Sequence, residues 1–572
     1  MNPSAKVVVL EDGPTIGGVW AKHRLYPGLK SNNMLGTFEY GDYPMDEATF
    51  GVKSGEHVPG QVLHDYLRSY AEKFDVYRRI RFETKVETVE RQRGGGGWIL
   101  TVKRGNDNEN GGGRTPLFAH KLVVATGVTS DPFLPDIPGS ASFDAPLFHC
   151  RYLFDHADIL FKSATNVAIL GGSKSAWDAA YAFASHGVTV DWVIRESGHG
   201  PVWMVPAYVT PLKIWLEKLV VTRFLTWFSP CVWGDWDGFP SIRRFLHRSA
   251  VGRKIVDSFF GLLAKDVEDM NGYDKHPETS KLKPWIGAFW VASSLSILNY
   301  PTDFFEFVRN GTIKIHVADI THLSSKTVHL STGKTLTAAA LICSTGWRHH
   351  PPVKFLPEGI DRELGLPYRA QGPDDPLVQK ADEEILNRFP RLRSQPEPNP
   401  HYKPLESELS QASLNRPYRL YRFMIPPALI EDRTIAFNGM FQSTNTASGA
   451  QLQALWITAY FGNKLPIDPK TPDQRRDSKS SLEDDVRWET ILHTQFAKWR
   501  YPGWYGARYP DFVFDWLPYM DMLLQNLGLE SHRKGGMFAE CFKPYGPADY
   551  RGLVDEWRIK VRCSFVLFEY SR

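Results

Sequence analysis

The stretch VAILGGSKSAWDAAYAFASHGVTVDWVIRES, residues 167–197, decides the fold. Its four apolar residues Val167, Ala168, Ile169 and Leu170 run straight into Gly171, Gly172, Ser173, Lys174, Ser175 and Ala176. An Ala-rich helix pattern follows over 175–186, Gly187 stops it, and 188–194 forms a second apolar strand. The turn reads G-x-G-x-x-G/A with Ser173 in the middle glycine's place. A pyrophosphate needs free backbone N–H groups, and a helix N-terminus presents them along a favourable dipole. Gly171, Gly172, Ser173, Lys174 and Ser175 are therefore candidate cofactor contacts. Arg195 closes the second strand, where an NAD-binding unit carries an acid for the ribose. A cation there fits a 2′-phosphate, which favours NADPH over NADH, with Lys174 as a candidate helper.

The rest of the chain is consistent with a multidomain protein. Its 572 residues hold three or four units at ~150 residues each. Lys+Arg 67 against Asp+Glu 64 gives 67 − 64 = +3, too small an excess for an electrostatic nucleic-acid binder. Five cysteines, Cys150, Cys231, Cys343, Cys541 and Cys563, lie far apart with no CxxC. That argues against a disulfide scaffold, a zinc site and a dithiol redox centre, so no metal is expected. Glu11 and Asp12 end the N-terminal apolar run too early for a signal peptide. Residues 213–236 and 285–302 are apolar but interrupted, which suits buried helices or peripheral membrane contact better than a span.

Strands alternate with helices along the chain, so the fold class is α/β. A strand is expected at 6–10, a helix at 60–74, an alternating strand pair at 85–91 and 98–103, and a buried strand at 121–126. Glycine runs at 94–97 and 111–113 read as hairpin tips. Strands at 312–317, 327–330 and 338–344 and a strand-then-helix over 434–462 follow a Trp-rich insertion. Residues 362–404 read as a Pro-rich excursion, and 468–485 as a polar linker to an aromatic C-terminal segment.

Residues 6–28, KVVVLEDGPTIGGVWAKHRLYPG, resemble the second strand of another Rossmann unit, with Glu11 for ribose hydroxyls and Gly17 and Gly18 for close cofactor approach. Here the chain resembles the class B flavoprotein monooxygenases, which include flavin-containing monooxygenases, N-hydroxylases and Baeyer–Villiger enzymes, and above all fungal secondary-metabolism members. GGVW with YPG, HDYLRSYAEKF at 64–74, VVATG at 123–127, GGSKSA at 171–176, CSTGW at 343–347 and FNGMF before GAQLQALW at 449–456 carry the likeness. The family fingerprint F-x-G-x-x-x-H-x-x-x-[YFW] is degraded: Phe143 and His149 keep their spacing, while Ala145 and Leu153 replace two positions.

The resemblance implies two Rossmann-like dinucleotide-binding domains, for FAD and NADPH. The FAD domain is discontinuous and N-terminally incomplete, because no strand–GxGxxG precedes residue 6. The implied division is 1–164 FAD domain first part, 165–335 NADPH domain with a helical substrate-side insertion at about 200–300, 336–464 FAD domain second part, and 465–572 C-terminal extension. Cofactor contacts are implied for Glu11, Gly17, Gly18, Trp20, Ala125, Thr126, Gly127, Thr345, Gly346 and Gln453. Asn32 or Asn33 is implied as the amide beside the flavin, with a turn-forming Asn pair as the alternative. His149 is either structural or couples NADP to the flavin domain.

The implied reaction passes a hydride from NADPH to FAD and forms a C4a-(hydro)peroxyflavin with O2, which oxygenates a hydrophobic small molecule. The cofactor carries that chemistry, which explains why no catalytic triad or carboxylate pair stands out. The expected placement is cytoplasmic, with peripheral membrane contact as an option. Two other classes stay open: a flavin reductase, which would need a further redox partner, and a truncated, impaired NADP-binding homologue that holds FAD poorly.

Overall fold

In the computed structural model, the segment 167–197 forms the middle of a five-stranded parallel sheet. The model describes residues 5–92, 94, 96–105, 113–209, 213–405, 415–465, 481–503 and 506–570. Strand order across the sheet is Leu147–His149, Leu341–Cys343, Asn166–Leu170, Thr189–Ile194 and Ile313–Val317. Val167, Ala168 and Ile169 are wholly buried, as a central strand covered on both faces requires. The Lys174–Ser185 helix lays its small residues Ala176, Ala179 and Ala180 against the sheet, and Trp177 meets Trp192 edge-on at 5.2 Å. Gly187 ends the helix at φ +79°, a conformation a side chain disfavours. The sheet recruits strands on both sides of the 165–335 span, since Leu341–Cys343 lies between Leu147–His149 and Asn166–Leu170.

The flavin-side strands are short. Val9–Leu10 pairs in parallel with Ile80–Arg81, and Leu122–Val124 pairs in parallel with Ile435–Phe437, as two separate ribbons. Val7, Val8 and Val123 are exposed beside them. The hairpin Thr84–Arg91 and Trp98–Arg104 is joined by Thr115–Ala119 and Lys354–Leu356. The Gly60–Lys73 and Thr446–Phe461 helices form where the pattern predicts. Of the polar linker expected at 468–485, residues 468–480 lie outside the described residues and 482–485 instead open the Leu482–Arg500 helix; of the glycine run at 111–113, 111 and 112 lie outside them.

Two expectations change. The Pro-rich excursion contains a helix, Pro376–Arg388: Pro376 occupies its first turn, where its missing N–H costs nothing, and the Asp375 side chain accepts from Leu377 N–H. Val378, Ala381 and Ile385 then enter the main core. The Trp-rich insertion is also core more than pocket wall. Trp203, Trp233 and Trp290 are buried with Phe496, Phe512 and Trp516 from the C-terminal extension, so the extension closes the same core as the insertion. Among the described residues no helix is long and apolar enough to cross a membrane.

Buried charges lock this joint. Arg223 is fully buried and donates from Nε to Glu540 at 2.5 Å and from Nη2 to Asp521 at 2.9 Å. Burying ions costs several kcal/mol each unless every partner is present. Arg223→Ala should therefore leave two buried carboxylates uncompensated and destabilise the fold by about 3–5 kcal/mol. A fall in the urea midpoint checks this; an unchanged midpoint would show that the extension is not held through Arg223.

Candidate active site

The glycine turn is shaped by close packing as well as by ligand approach. Gly171 has φ +132°, and a Cβ there would come 2.3 Å from the Ser344 carbonyl oxygen. A Cβ on Gly172 would meet the Gly200 carbonyl at 2.5 Å. The N–H groups of Ser173, Lys174 and Ser175 have no acceptor among the described residues, and the Ser173 side chain does not cap the helix. This open first turn suits an anionic group.

Lys174 does not face that anion site. Its buried ammonium holds Asp178, the Asn299 Oδ1 at 2.9 Å and the Tyr300 hydroxyl at 3.2 Å, and burial lowers its pKa. Asn299 in turn donates to the carbonyls of Ser31 at 3.0 Å and Lys30 at 3.2 Å, and Tyr26 donates to Asp178 at 3.0 Å. The helper cation expected at the 2′-phosphate is thus a tie between the dinucleotide helix and the YPG segment.

Arg195 stands at the end of its strand as expected, with most of its guanidinium engaged. Nη2 donates to Ser197 Oγ at 2.6 Å and to the Lys403 carbonyl at 2.5 Å, and Nε lies 3.5 Å from Asp319. Nη1 has no hydrogen-bond partner among the described residues. A clasp at 399–403 covers this turn: Asn399 donates to the carbonyls of Glu196 at 2.7 Å and Gly198 at 2.9 Å, and Lys403 N–H donates to Ser197 O at 2.9 Å. No local pattern in the sequence signals that pairing.

On the flavin side, Glu11 ends the Val9–Leu10 strand, and its carboxylate accepts Gly13 N–H at 2.8 Å. Burial raises its pKa, against the pull of Arg151 and Arg24. These two arginines were not singled out by sequence; Arg24 lies over the Trp347 ring at 5.3 Å, and burial lowers its pKa to about 10. Gly18, Gly127 and Gly346 all have positive φ, and a Cβ at any of them would meet open space. Gly17, at φ +119°, instead packs on the Trp20 carbonyl, and that carbonyl also contacts His64 Nδ1 at 3.2 Å. Ala125 precedes Thr126, whose buried hydroxyl lacks a partner, as does Asn438 Oδ1. The N–H groups of Thr446, Ala447 and Ser448 open a second unpaired helix N-terminus. Open glycines, orphaned buried polar atoms and two free helix ends fit two polyoxygenated dinucleotides.

Three expected contacts take other partners. Thr345 Oγ1 donates to Phe133 O at 2.5 Å. Gln453 donates to Tyr519 at 2.7 Å and accepts Gly439 N–H at 2.9 Å, so it rivets the FNGMF turn to the C-terminal extension instead of facing a cofactor. His149 is buried and uses both ring nitrogens. Nδ1 accepts Arg151 N–H at 3.1 Å, so the proton sits on Nε2, which donates to Gly346 O at 2.9 Å. Burial lowers its pKa to about 4, and the neutral imidazole holds the crossover through its single Nε2–H.

Asn32 and Asn33 lie in the Lys30–Met34 strand, where alternation sends them to opposite sides. Asn33 Nδ2 donates to Glu217 and to Thr444 O at 2.9 Å, leaving only Oδ1 free. Glu217 belongs to the insertion and also accepts Met34 N–H at 3.2 Å. Sequence reasoning missed Glu217, because a Glu in an interrupted apolar run reads as a break in the pattern. Burial raises its pKa to about 7, with hydrogen bonds from Thr37, Met34 and Asn33 opposing.

Residues 3–222 match a family model described as pyridine nucleotide-disulphide oxidoreductase. The FAD-dependent monooxygenase resA of Aspergillus sclerotiorum is 33% identical over 580 residues, covering 97% of this chain and 94% of its own length. The FAD-dependent monooxygenase DEP4 of Alternaria brassicicola is 31% identical, covering 99% and 92%. Among solved structures, NADP+-bound cyclohexanone monooxygenase from Rhodococcus sp. Phi1 shares the fold at TM-score 0.53 and 14% identity, over 91% of this chain and 92% of its own.

Glu217 links pH to stability. The unfolded carboxyl ionises near its ordinary 4.5, while the folded one keeps its proton to about 7. The folded state therefore binds more protons between these values, and its stability falls as pH rises through that window. At ~1.4 kcal/mol per pH unit, the contribution is about 3 kcal/mol. Glu217→Gln should flatten the pH 5–8 stability curve by about that amount in urea titrations; parallel curves would refute the buried protonated carboxyl.

Proposed function

Because the chain belongs to the FAD-dependent monooxygenases, we propose that it uses NADPH and O2 to oxygenate a hydrophobic small molecule in secondary metabolism. Bound FAD supplies electron acceptance and O2 activation; the chain supplies binding, orientation and exclusion of water. The observation that carries the reading is the pair of helix N-termini, at Ser173 and Asn445, whose first-turn N–H groups are unpaired.

The Ser173 end would hold the NADPH pyrophosphate, with Arg195 Nη1 on the 2′-phosphate. Glu11 would take the FAD ribose, while Gly18, Gly127 and Gly346 let the backbone approach and Thr126, Asn438 and the Asn445 end supply polar contacts. Asn33 offers only an acceptor, because Glu217 and Thr444 O hold both of its amide hydrogens. His149 positions the Gly346 crossover through its Nε2–H. Met34 and Leu216 are buried beside the Asn33–Glu217 pair, an apolar setting that suits a hydrophobic substrate and keeps water out. The placement we infer is cytoplasmic and membrane-peripheral.

The purified protein loaded with FAD should lose its visible flavin band when NADPH is added without oxygen and regain it in air. Absence of that cycle would overturn the reading. Arg195→Ala removes a charge-assisted bond of about 1.5–3 kcal/mol, so KM for NADPH should rise ~10- to 100-fold with NADH little affected. Equal losses for both would refute the role of Arg195.

A further inference from the structure

The geometry points to a lipid-docking face on the insertion and the C-terminal extension, whose partner is an anionic phospholipid surface. The Ala250–Asn271 helix presents Val251, Ile255, Phe259 and Leu262 at i, i+4, i+8 and i+11, one stripe of the helix. Val251 is 62% and Leu262 70% exposed, with Ile255 exposed between them, while Phe259 is half-buried and rests against the core. The stripe continues through a ladder of rings. Phe259 meets Phe228 at 4.6 Å, Phe228 meets Phe224 at 5.3 Å, Phe224 meets Phe542 at 5.2 Å and Phe542 meets Phe538 at 5.0 Å. Phe538, at the far end, is 75% exposed. The face thus spans two parts of the chain nearly 280 residues apart (538 − 259 = 279) and is continuous. Exposed apolar patches of this kind mark interaction surfaces.

Charge selects the partner. Lys254 flanks the stripe on its own helix, and Arg244 and Arg248 stand on the preceding Pro240–Arg248 helix; none of the three has an acidic partner among the described residues. Among the described residues, Arg244 bonds only Ser241 Oγ. Of the acids on this helix, Asp257 is engaged by Arg391 at 2.7 Å, and Asp266 and Asp269 follow the stripe past Leu262. Unpaired cations around an exposed apolar stripe match an interface of anionic headgroups over acyl chains. With no helix among the described residues able to cross a bilayer, the contact is peripheral. It deepens the membrane-peripheral placement inferred above. Phe224 follows Glu217 by seven residues (224 − 217 = 7), so the same short segment links the lipid face to the Asn33 amide.

Flotation of the FAD-loaded protein with phosphatidylcholine vesicles, with and without phosphatidylserine, tests the proposal. Binding should require phosphatidylserine and fall with salt. Arg248→Gln with Lys254→Gln should weaken partition about 25-fold, about fivefold for each cation, and Leu262→Asp with Phe538→Asp should abolish it. Neither pair touches the cofactor residues, so the NADPH-driven flavin cycle should persist in both. In the wild type, hydrogen exchange at 244–262 and 537–542 should slow with vesicles, a readout that does not depend on any variant folding. Several results would overturn the proposal: no flotation, flotation unchanged in the aspartate pair, or protection elsewhere. A dimer that dissociates on Leu262→Asp without vesicle binding would do so too, in favour of a second copy. An enzyme with an intact flavin cycle that ignores vesicles would refute the docking face and leave the redox reading standing.

Discussion

A buried ammonium needs a complete set of partners, and the relative placement of three segments of the candidate site follows from how Lys174 finds them. Asp178 supplies the countercharge from one turn further along the same helix, while Asn299 and Tyr300 supply neutral oxygens from the end of the insertion. Asn299 then grips the backbone of the Lys30–Met34 strand, and Asp178 also accepts from Tyr26. One desolvated cation therefore fixes the dinucleotide helix, the YPG turn and the asparagine strand relative to one another. Losing any partner would leave charge or polar atoms unpaired in a medium that penalises them.

The parallel register builds the other side of the candidate site. Leu170 and His149 both stand level with Cys343 in adjacent strands. Gly171, Cys150 and Ser344 consequently leave the sheet side by side at its carboxyl edge, where open α/β sheets form their ligand crevices. Gly171 must lack a side chain because the Ser344 carbonyl occupies the place of its Cβ. From the same edge His149 reaches Gly346 with its one ring proton, so the crossover toward the flavin side is tied to the nucleotide sheet by packing and by a directed bond.

The insertion and the C-terminal extension make a second body around these ties. Their aromatic residues share one core, and ions buried in it are satisfied only when distant segments come together, as Arg223 does with Asp521 and Glu540. The insertion contributes Glu217 to the Asn33 amide from its inner side, while its outer side leaves the Val251–Leu262 stripe uncovered. A protonated carboxyl at Glu217 suits this position, since a bare charge there would face Met34 and Leu216 without a cation.

The sequence by itself determined the elements set by nearest neighbours. The apolar run at 167–170, the glycines at 171 and 172 and the stop at Gly187 specify strand, turn and helix through period and backbone freedom, and the structure keeps them within a residue or two. It also placed Arg195 at its strand end and Glu11 at another. Pro376 hid a helix because proline reads as a breaker, although in a first turn it is compatible with one. Only the tertiary structure decided which side chains are free. Lys174 and Gln453 carry the right chemistry for a cofactor and are consumed by partners 125 and 66 residues away, while Glu217 looks like an interruption and becomes the buried partner of Asn33. Such pairings are set by desolvation and by contacts between segments far apart in the chain, and no local pattern encodes them.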